Sequence, residues 1–201
     1  MRSISHWKPS YVKNRTREVL YELCRHRSHW LCPEALRFLE CWLEPTDVGF
    51  QWGSGDGTLW LAKHVKQLTC VEHDPARAPE VQARLQAEGL DERVTYHLES
   101  HGNAMESTDA AYVCMIDSVS DYTLDFCLVG GPLPLACCLA SILKLKYGGL
   151  LILENADRYL CHDDELTAVR AAWNDIIWHL ASWRQAWTTN GLAETAIFIK
   201  P

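Results

Sequence analysis

The chain has many cysteines but none of the arrangements that would give them a chemical task. Its nine cysteines are an odd count and form neither a C-x-x-C pair nor any zinc-ligand spacing. Cys137 and Cys138 are neighbours in an apolar stretch, and Cys70, Cys114 and Cys127 lie in or near strand-like runs. Cysteine used in this way packs as a small hydrophobe, which suits a reducing compartment. Internal repeats, low-complexity tracts and a linker-like stretch are also lacking. Residues 126–143 carry no charge, but Gly130, Gly131, Pro132 and Pro134 interrupt them and Lys144 and Lys146 follow. They read as strand, turn and core helix, so no membrane partner is expected. The opening MRSISHWKPSYVKNRTREV contains no apolar signal-peptide core, and a cytoplasmic location is expected. A broad basic surface is lacking too. Residues 1–31 hold seven Lys or Arg against Glu18 and Glu22, a local +5, which leaves −12 for the rest of a chain whose net charge is −7. An acidic body is a poor match for a nucleic-acid groove, and no nucleic-acid partner is expected.

The 201 residues fit one domain, and a hydrophobic share of 48% with 22% charged residues supports one ordinary core. The basic segment 1–31 belongs to that single domain, 1–201, with a helix over 10–27 and a second over 33–43 that opens on Pro33. Strands and helices then alternate: a strand at 48–52, a helix at 58–64, a strand at 68–72, a helix at 79–88 closed by Gly89, and a strand at 93–98. Two runs compete for strand four, YVCMID at 112–117 and FCLV at 126–129. The second is preferred because 133–146 then supplies the crossover helix directly. Strand five is LLILEN, 150–155, opened by Gly148-Gly149. An amphipathic helix over 163–181 precedes an antiparallel pair near 183–187 and 194–199, turning through Asn190-Gly191. The expected fold is α/β, a doubly wound Rossmann-like sheet of seven strands with N-terminal helices and a C-terminal antiparallel hairpin.

Residues 48–74, VGFQWGSGDGTLWLAKHVKQLTCVEHD, carry most of the functional information. The turn Gly53-Ser54-Gly55-Asp56-Gly57-Thr58 offers backbone without Cβ where a ligand must approach. Glu72 and His73 stand at the tip of the next strand, where an acid can accept hydrogen bonds from a ribose diol. The spacing is G-x-G-x-G-T. The dinucleotide pattern G-x-G-x-x-G places its third glycine differently, which disfavours a nicotinamide-dependent oxidoreductase. Most of the nine tryptophans lie on apolar faces and read as core; Trp52, inside the motif, is expected near the ligand.

FQWGSGDGTLWLA, CVEHD, LVGG, GGLLILENADR and TAIFIKP together resemble the motif series of small bacterial-type class I S-adenosylmethionine-dependent methyltransferases, over residues 28–201. The resemblance implies S-adenosylmethionine as cofactor, held by Gln51, Trp52, Gly53, Ser54, Gly55, Thr58, Glu72 and His73. It implies methyl transfer to a small-molecule acceptor, at a hydroxyl or carboxyl oxygen. Two positions depart from the family pattern. Gln51 stands where an acid commonly meets the cofactor's ammonium; it accepts a hydrogen bond but adds no charge. Gly130 stands where strand four commonly ends in aspartate, which implies no side-chain chemistry there. These departures motivate a second reading, a catalytically reduced cofactor- or partner-binding protein that keeps the fold.

Methyl transfer asks mainly for alignment, and a hydroxyl acceptor adds a need for a base or a metal. Glu154, Asn155, Asp157, Arg158 and His162 follow strand five, at the end of the sheet where ligands bind. Glu154, Asp157 and His162 are the catalytic candidates, and Asp157-Arg158 reads equally as an ion pair. Glu154-Asn155 resembles a magnesium-holding Asp-Asn pair of catechol-type enzymes. With Gly130 in the third position that oxygen shell is incomplete, so no metal site is expected unless Asp117 supplies the missing ligand.

Overall fold

A sheet covered on both faces sends successive strand residues into two different cores, and the strands of this chain divide in that way. A computed structural model describes residues 30–100, 108–158, 176, 178–190 and 193–201. Its strands are β1 (Val48–Trp52), β2 (Gln67–Glu72), β3 (Val94–Leu98), β4 (Leu124–Val129), β5 (Leu145–Leu153), β6 (Arg184–Thr189) and β7 (Glu194–Ile199). They form one sheet in the order β3-β2-β1-β4-β5-β7-β6. The strands β1 to β5 pair in parallel, and β7 runs antiparallel to both neighbours.

The helices are α1 (Pro33–Trp42), α2 (Asp56–His64), α3 (Arg77–Ala87), the single turn α4 (Ala111–Cys114) and α5 (Pro134–Lys144). Phe50, Trp52, Cys127, Val129, Leu151 and Leu153 face the core built with α4 and α5. Leu68, Cys70, Phe126, Leu128, Leu150 and Ile152 face the core built with α1, α2 and α3. In β1 this alternation needs Gly49, since a Cβ there would fall 2.0 Å from the Phe126 ring. Truncating that fully buried ring would cost about 3–5 kcal/mol.

The chain leaves β1 toward β2 on one side and later returns to β4 on the other, so the sheet order reverses between β1 and β4. Open α/β sheets bind ligands at that reversal, beyond the carboxyl ends of the strands. Gly130 extends the β4 ladder by donating its N–H to Trp52 O at 3.0 Å, and Glu154 extends β5 by donating to Val129 O at 2.9 Å. The tips of β1, β4 and β5 therefore lie side by side.

The expected order of elements is present, and strand four falls at Leu124–Val129 as preferred. The competing run at 112–117 is helical, in α4 and the 3-10 turn after it, because Tyr112, Val113 and Ile116 are buried at helical rather than alternate spacing. Strand five differs from expectation at both ends. It starts at Leu145, before the glycine pair, and ends at Leu153, leaving Glu154 and Asn155 in the turn beyond it. The helix expected over 10–27 lies outside the described residues, as does most of that over 163–181. Of the latter, residues 176 and 178–180 are helical. Among the described residues no helix is long and apolar enough to cross a membrane.

Candidate active site

The glycine turn does three different things at its three glycines. Gly53 sits at φ +82° with its N–H bonded to Val71 O, and a Cβ on it would come within 3.0 Å of the Gly131 backbone. That close approach folds the turn against the tip of β4. A Cβ at Gly55 would meet nothing within 4 Å, so this peptide is open to a ligand. At Gly57 a Cβ would stand 2.6 Å from the Trp30 ring, so the third glycine admits an indole onto the start of α2. Thr58 is buried; its hydroxyl accepts from Gly55 N at 3.1 Å and its N–H donates to Gly55 O, which closes the turn.

Above the turn lies a cleft of about 390 Å³. Its floor is Gln51, the residues 53–57 and Gly130, and its walls are Trp30, His73, Glu154 and one face of α3. Gln51 is only 3% exposed, and its Oε1 has no hydrogen-bond partner among the described residues. A buried acceptor left unpaired costs about 1–3 kcal/mol, an arrangement that calls for explanation. A donor from a ligand in the cleft would satisfy it.

Glu72 stands at the tip of β2 as expected, but its carboxylate is turned into the protein and not into the cleft. It has no exposed surface, and its carboxylate lies beneath the turn. Oε2 accepts from Ser54 N at 2.7 Å and from the Ser54 hydroxyl, which also meets Tyr96 OH at 2.7 Å. Oε1 accepts from His73 N and Asp74 N, both at 2.8 Å, and lies 2.9 Å from His73 Nδ1. A carboxylate has about four lone-pair positions, and four protein donors already use them. Burial raises the Glu72 pKa, but the hydrogen bonds from Ser54, Asp74 and His73 outweigh it and hold the group below its ordinary value. In this state Glu72 fixes the glycine turn and offers nothing to a ribose unless the Ser54 hydroxyl gives way.

Glu154 fills the space that Gly130 leaves. A Cβ built on Gly130 would fall 2.4 Å from Glu154 Oε2 and 2.5 Å from its Cδ. The turn that aims the side chain there passes through Asn155 at φ +51°, a conformation asparagine tolerates well. The expectation of no side-chain chemistry at the tip of β4 is therefore corrected: a carboxyl occupies that place, supplied by the β5 turn. Glu154 is half-buried, and its carboxyl makes no hydrogen bond to a described residue. Burial pushes its carboxyl up to about 8, against the opposing pull of Arg77.

Of the expected cofactor residues, Gln51, Gly53, Ser54, Gly55 and His73 line the cleft; Thr58, Glu72 and Trp52 do not. Trp52 is fully buried, packs 4.6 Å from the Phe50 ring and donates its indole N–H to Tyr112 O at 3.4 Å. The tryptophan at the cleft is Trp30. Of the catalytic candidates, Glu154 lines the cleft. Asp157 accepts from Glu194 N at 3.0 Å and ties its turn to β7. His162 lies outside the described residues. Asp117 is exposed on the turn before β4, and no cluster of three or more His, Cys, Asp or Glu with metal-binding geometry occurs among the described residues.

Sequence reasoning missed the α3 wall. Arg77, Glu80, Val81 and Arg84 recur at i, i+3, i+4 and i+7, one face of a helix. Arg84 pairs with Asp56 at the start of α2, and Arg77 reaches Ser54 O at 3.5 Å. That periodicity was available in the sequence; the proximity of α2 to α3 was not.

No protein-family model matches the chain, and no curated protein sequence matches it. Solved structures do match. The O-methyltransferase TomG from Streptomyces achromogenes, involved in tomaymycin synthesis and crystallised with S-adenosylmethionine, is similar at a TM-score of 0.63 and 14% identity, over 96% of this chain and 91% of that one. A SAM-dependent O-methyltransferase from Thermotoga maritima is similar at 0.56 and 16%, over 96% and 71%. An rRNA methylase from Streptococcus thermophilus is similar at 0.59 and 16%, over 83% and 94%. At such identities the likeness is one of architecture. The strand order, the antiparallel β7 and the glycine turn at the sheet reversal agree with it: the chain has the fold of the class I S-adenosylmethionine-dependent methyltransferases.

Proposed function

We propose that the protein is an S-adenosylmethionine-dependent methyltransferase acting on a small molecule, at a hydroxyl or carboxyl oxygen. The observation that carries this reading is the unpaired, buried Gln51 Oε1 at the floor of a cleft whose glycine turn is open at Gly55. The ammonium of a methionine group is a donor suited to that acceptor. Gly53 and Gly55 would let the cofactor approach the backbone, and His73 would border it beside the tip of β2. For a ribose diol to meet Glu72, the Ser54 hydroxyl must yield its place on Oε2.

When bound, the cofactor supplies a methyl group on a positively charged sulfur, already activated for transfer. The protein's part is to align the acceptor, exclude water and receive a proton. In this reading Glu154, which lines the cleft, receives it. Nothing comparable supports Asp157, whose carboxylate is engaged with β7.

A small acceptor is favoured by the acidic body of the chain, with −12 outside residues 1–31 of a net −7. A cytoplasmic location belongs to the same proposal, supported by seven cysteines among the described residues that form no disulfide. The reading of a catalytically reduced protein rested on Gln51 and Gly130, and the carboxyl that Glu154 brings beside Gly130 weakens its second ground. The test is formation of S-adenosylhomocysteine from S-adenosylmethionine with a panel of phenols, hydroxy acids and carboxylic acids, followed by mass spectrometry. Methylated product supports the proposal. Tight cofactor binding with no product from any acceptor would favour the reduced protein.

A further inference from the structure

We propose that Glu154 is the residue that recognises the charged sulfur of the methyl donor, giving up its proton when the donor binds and recovering one during transfer. The inference rests on the cofactor reading above and concerns what this chain does differently at the tips of β4 and β5.

Gly130 and Glu154 are sterically exclusive partners. A side chain at 130 would begin 2.4 Å from Glu154 Oε2, so the carboxyl reaches this spot because strand four ends without one. Neighbouring strands lie about 4.8 Å apart, and the tips of β1 and β4 are joined by Gly130 N–H to Trp52 O. In a methionine group the sulfur is three bonds from the carbon that bears the ammonium. With the ammonium on Gln51 at the floor of β1, a side chain directed toward Gly130 would bring the sulfur within about one strand spacing, against the Glu154 carboxyl that lines the same cleft.

The other titratable or charged groups that line the cleft are Asp56, His73, Arg77, Glu80 and Arg84. Asp56 and Arg84 pair with each other, and His73 stands against Glu72. Arg77 and Glu80 are exposed on α3. Arg77 is the charged group felt by Glu154, and it is too weak to keep the carboxyl ionised against burial, which raises it to about 8. Among the described residues Glu154 is therefore the carboxyl in this cleft that is uncharged near neutrality and without a hydrogen-bond partner.

The steps balance. Donor binding converts the Glu154 carboxyl to carboxylate and releases one proton to solvent. In transfer, the acceptor oxygen forms a bond to the methyl carbon and its proton passes to Glu154. The electron pair of the broken carbon–sulfur bond stays on sulfur, which becomes neutral. The base is thus charged only while a methyl donor is present, and neutral again with S-adenosylhomocysteine.

Isothermal titration calorimetry in two buffers of different ionisation enthalpy counts the protons released on binding. At pH 7, a carboxyl that titrates near 8 is roughly nine-tenths protonated. S-adenosylmethionine should then release close to one proton more than S-adenosylhomocysteine, and the preference for the donor should grow about ninefold from pH 6 to 7 and about fivefold from pH 7 to 8. Both ligands carry the same ammonium, so their difference isolates the sulfur. Glu154→Gln, an isosteric change whose folding is checked by circular dichroism, should bind both ligands and lose the difference. Equal proton release by the two ligands, or a difference that survives in Glu154→Gln, would overturn the inference and leave the cofactor reading intact. No binding of either ligand would overturn both.

Discussion

Gln51→Leu should move stability and affinity in opposite directions. Leucine is close to glutamine in size and removes the acceptor that stands unpaired at 3% exposure. Such an acceptor costs about 1–3 kcal/mol in the free protein. Recovering about 1 kcal/mol of that in a chain of 201 residues should raise the melting temperature by about 2–4 °C. The same change removes a hydrogen bond to a charged donor, worth about 1.5–3 kcal/mol, so S-adenosylhomocysteine should bind roughly 10- to 150-fold more weakly. Differential scanning fluorimetry without ligand and calorimetry with it read the two effects separately. A purely structural glutamine behaves otherwise. A variant that melts lower and binds the ligand as before would refute the reasoning, because Gln51 would then serve the fold alone.

Glu72 should make the protein acid-sensitive. Its folded pKa lies below the ordinary 4.5, so its contribution is complete above that value and is lost as pH falls through the folded pKa. Glu72→Gln should flatten the acid limb of a urea-midpoint profile between pH 5 and 2, and an unchanged limb would count against the assignment. Glu154 has the reverse sign. Its folded pKa of about 8 lies above the ordinary 4.5, so the native chain loses stability between those values as pH rises. Glu154→Gln should match the native chain near pH 4 and exceed it at pH 9; equal midpoints at pH 9 would place the carboxyl in water. Turnover should survive EDTA without stimulation by magnesium, since Glu154 lacks an aspartate beside it at 130 and Asp117 is exposed elsewhere. Loss on chelation and recovery with metal would show otherwise.

The sheet was legible because burial imposes period two on strands, and LTCVE, FCLV and LLIL each feed both cores. The glycine turn was legible because few structures need Cβ removed at three alternate positions. The same periodicity argued against Trp52, since Phe50 and Trp52 share a face while Gln51 points to the other; its proximity in sequence to the glycines misled. Trp30 was out of reach because its contact with Gly57 spans 27 positions and leaves a single trace, the absence of a side chain at 57. Glu154 shows the same limit at the site itself. A sequence aligned to a motif series reveals that position 130 has lost its acid. That the replacement arrives from the next strand, 24 positions later, is a fact of packing. Glu72 illustrates a third case: its position at a strand tip was read correctly, while three of its four donors are backbone N–H groups aimed by local conformations that residue types do not disclose.

The central claim is that the cleft over the glycine turn holds S-adenosylmethionine. Calorimetric titration of S-adenosylhomocysteine into the native chain and into Gly55→Val tests it most directly, because Gly55 alone of the turn's glycines faces open space. The account predicts saturable binding at one site per chain in the native protein and none in the variant, whose added side chain would stand in the ligand's volume. Equal affinity in the two proteins, or no binding to the native chain, would contradict it.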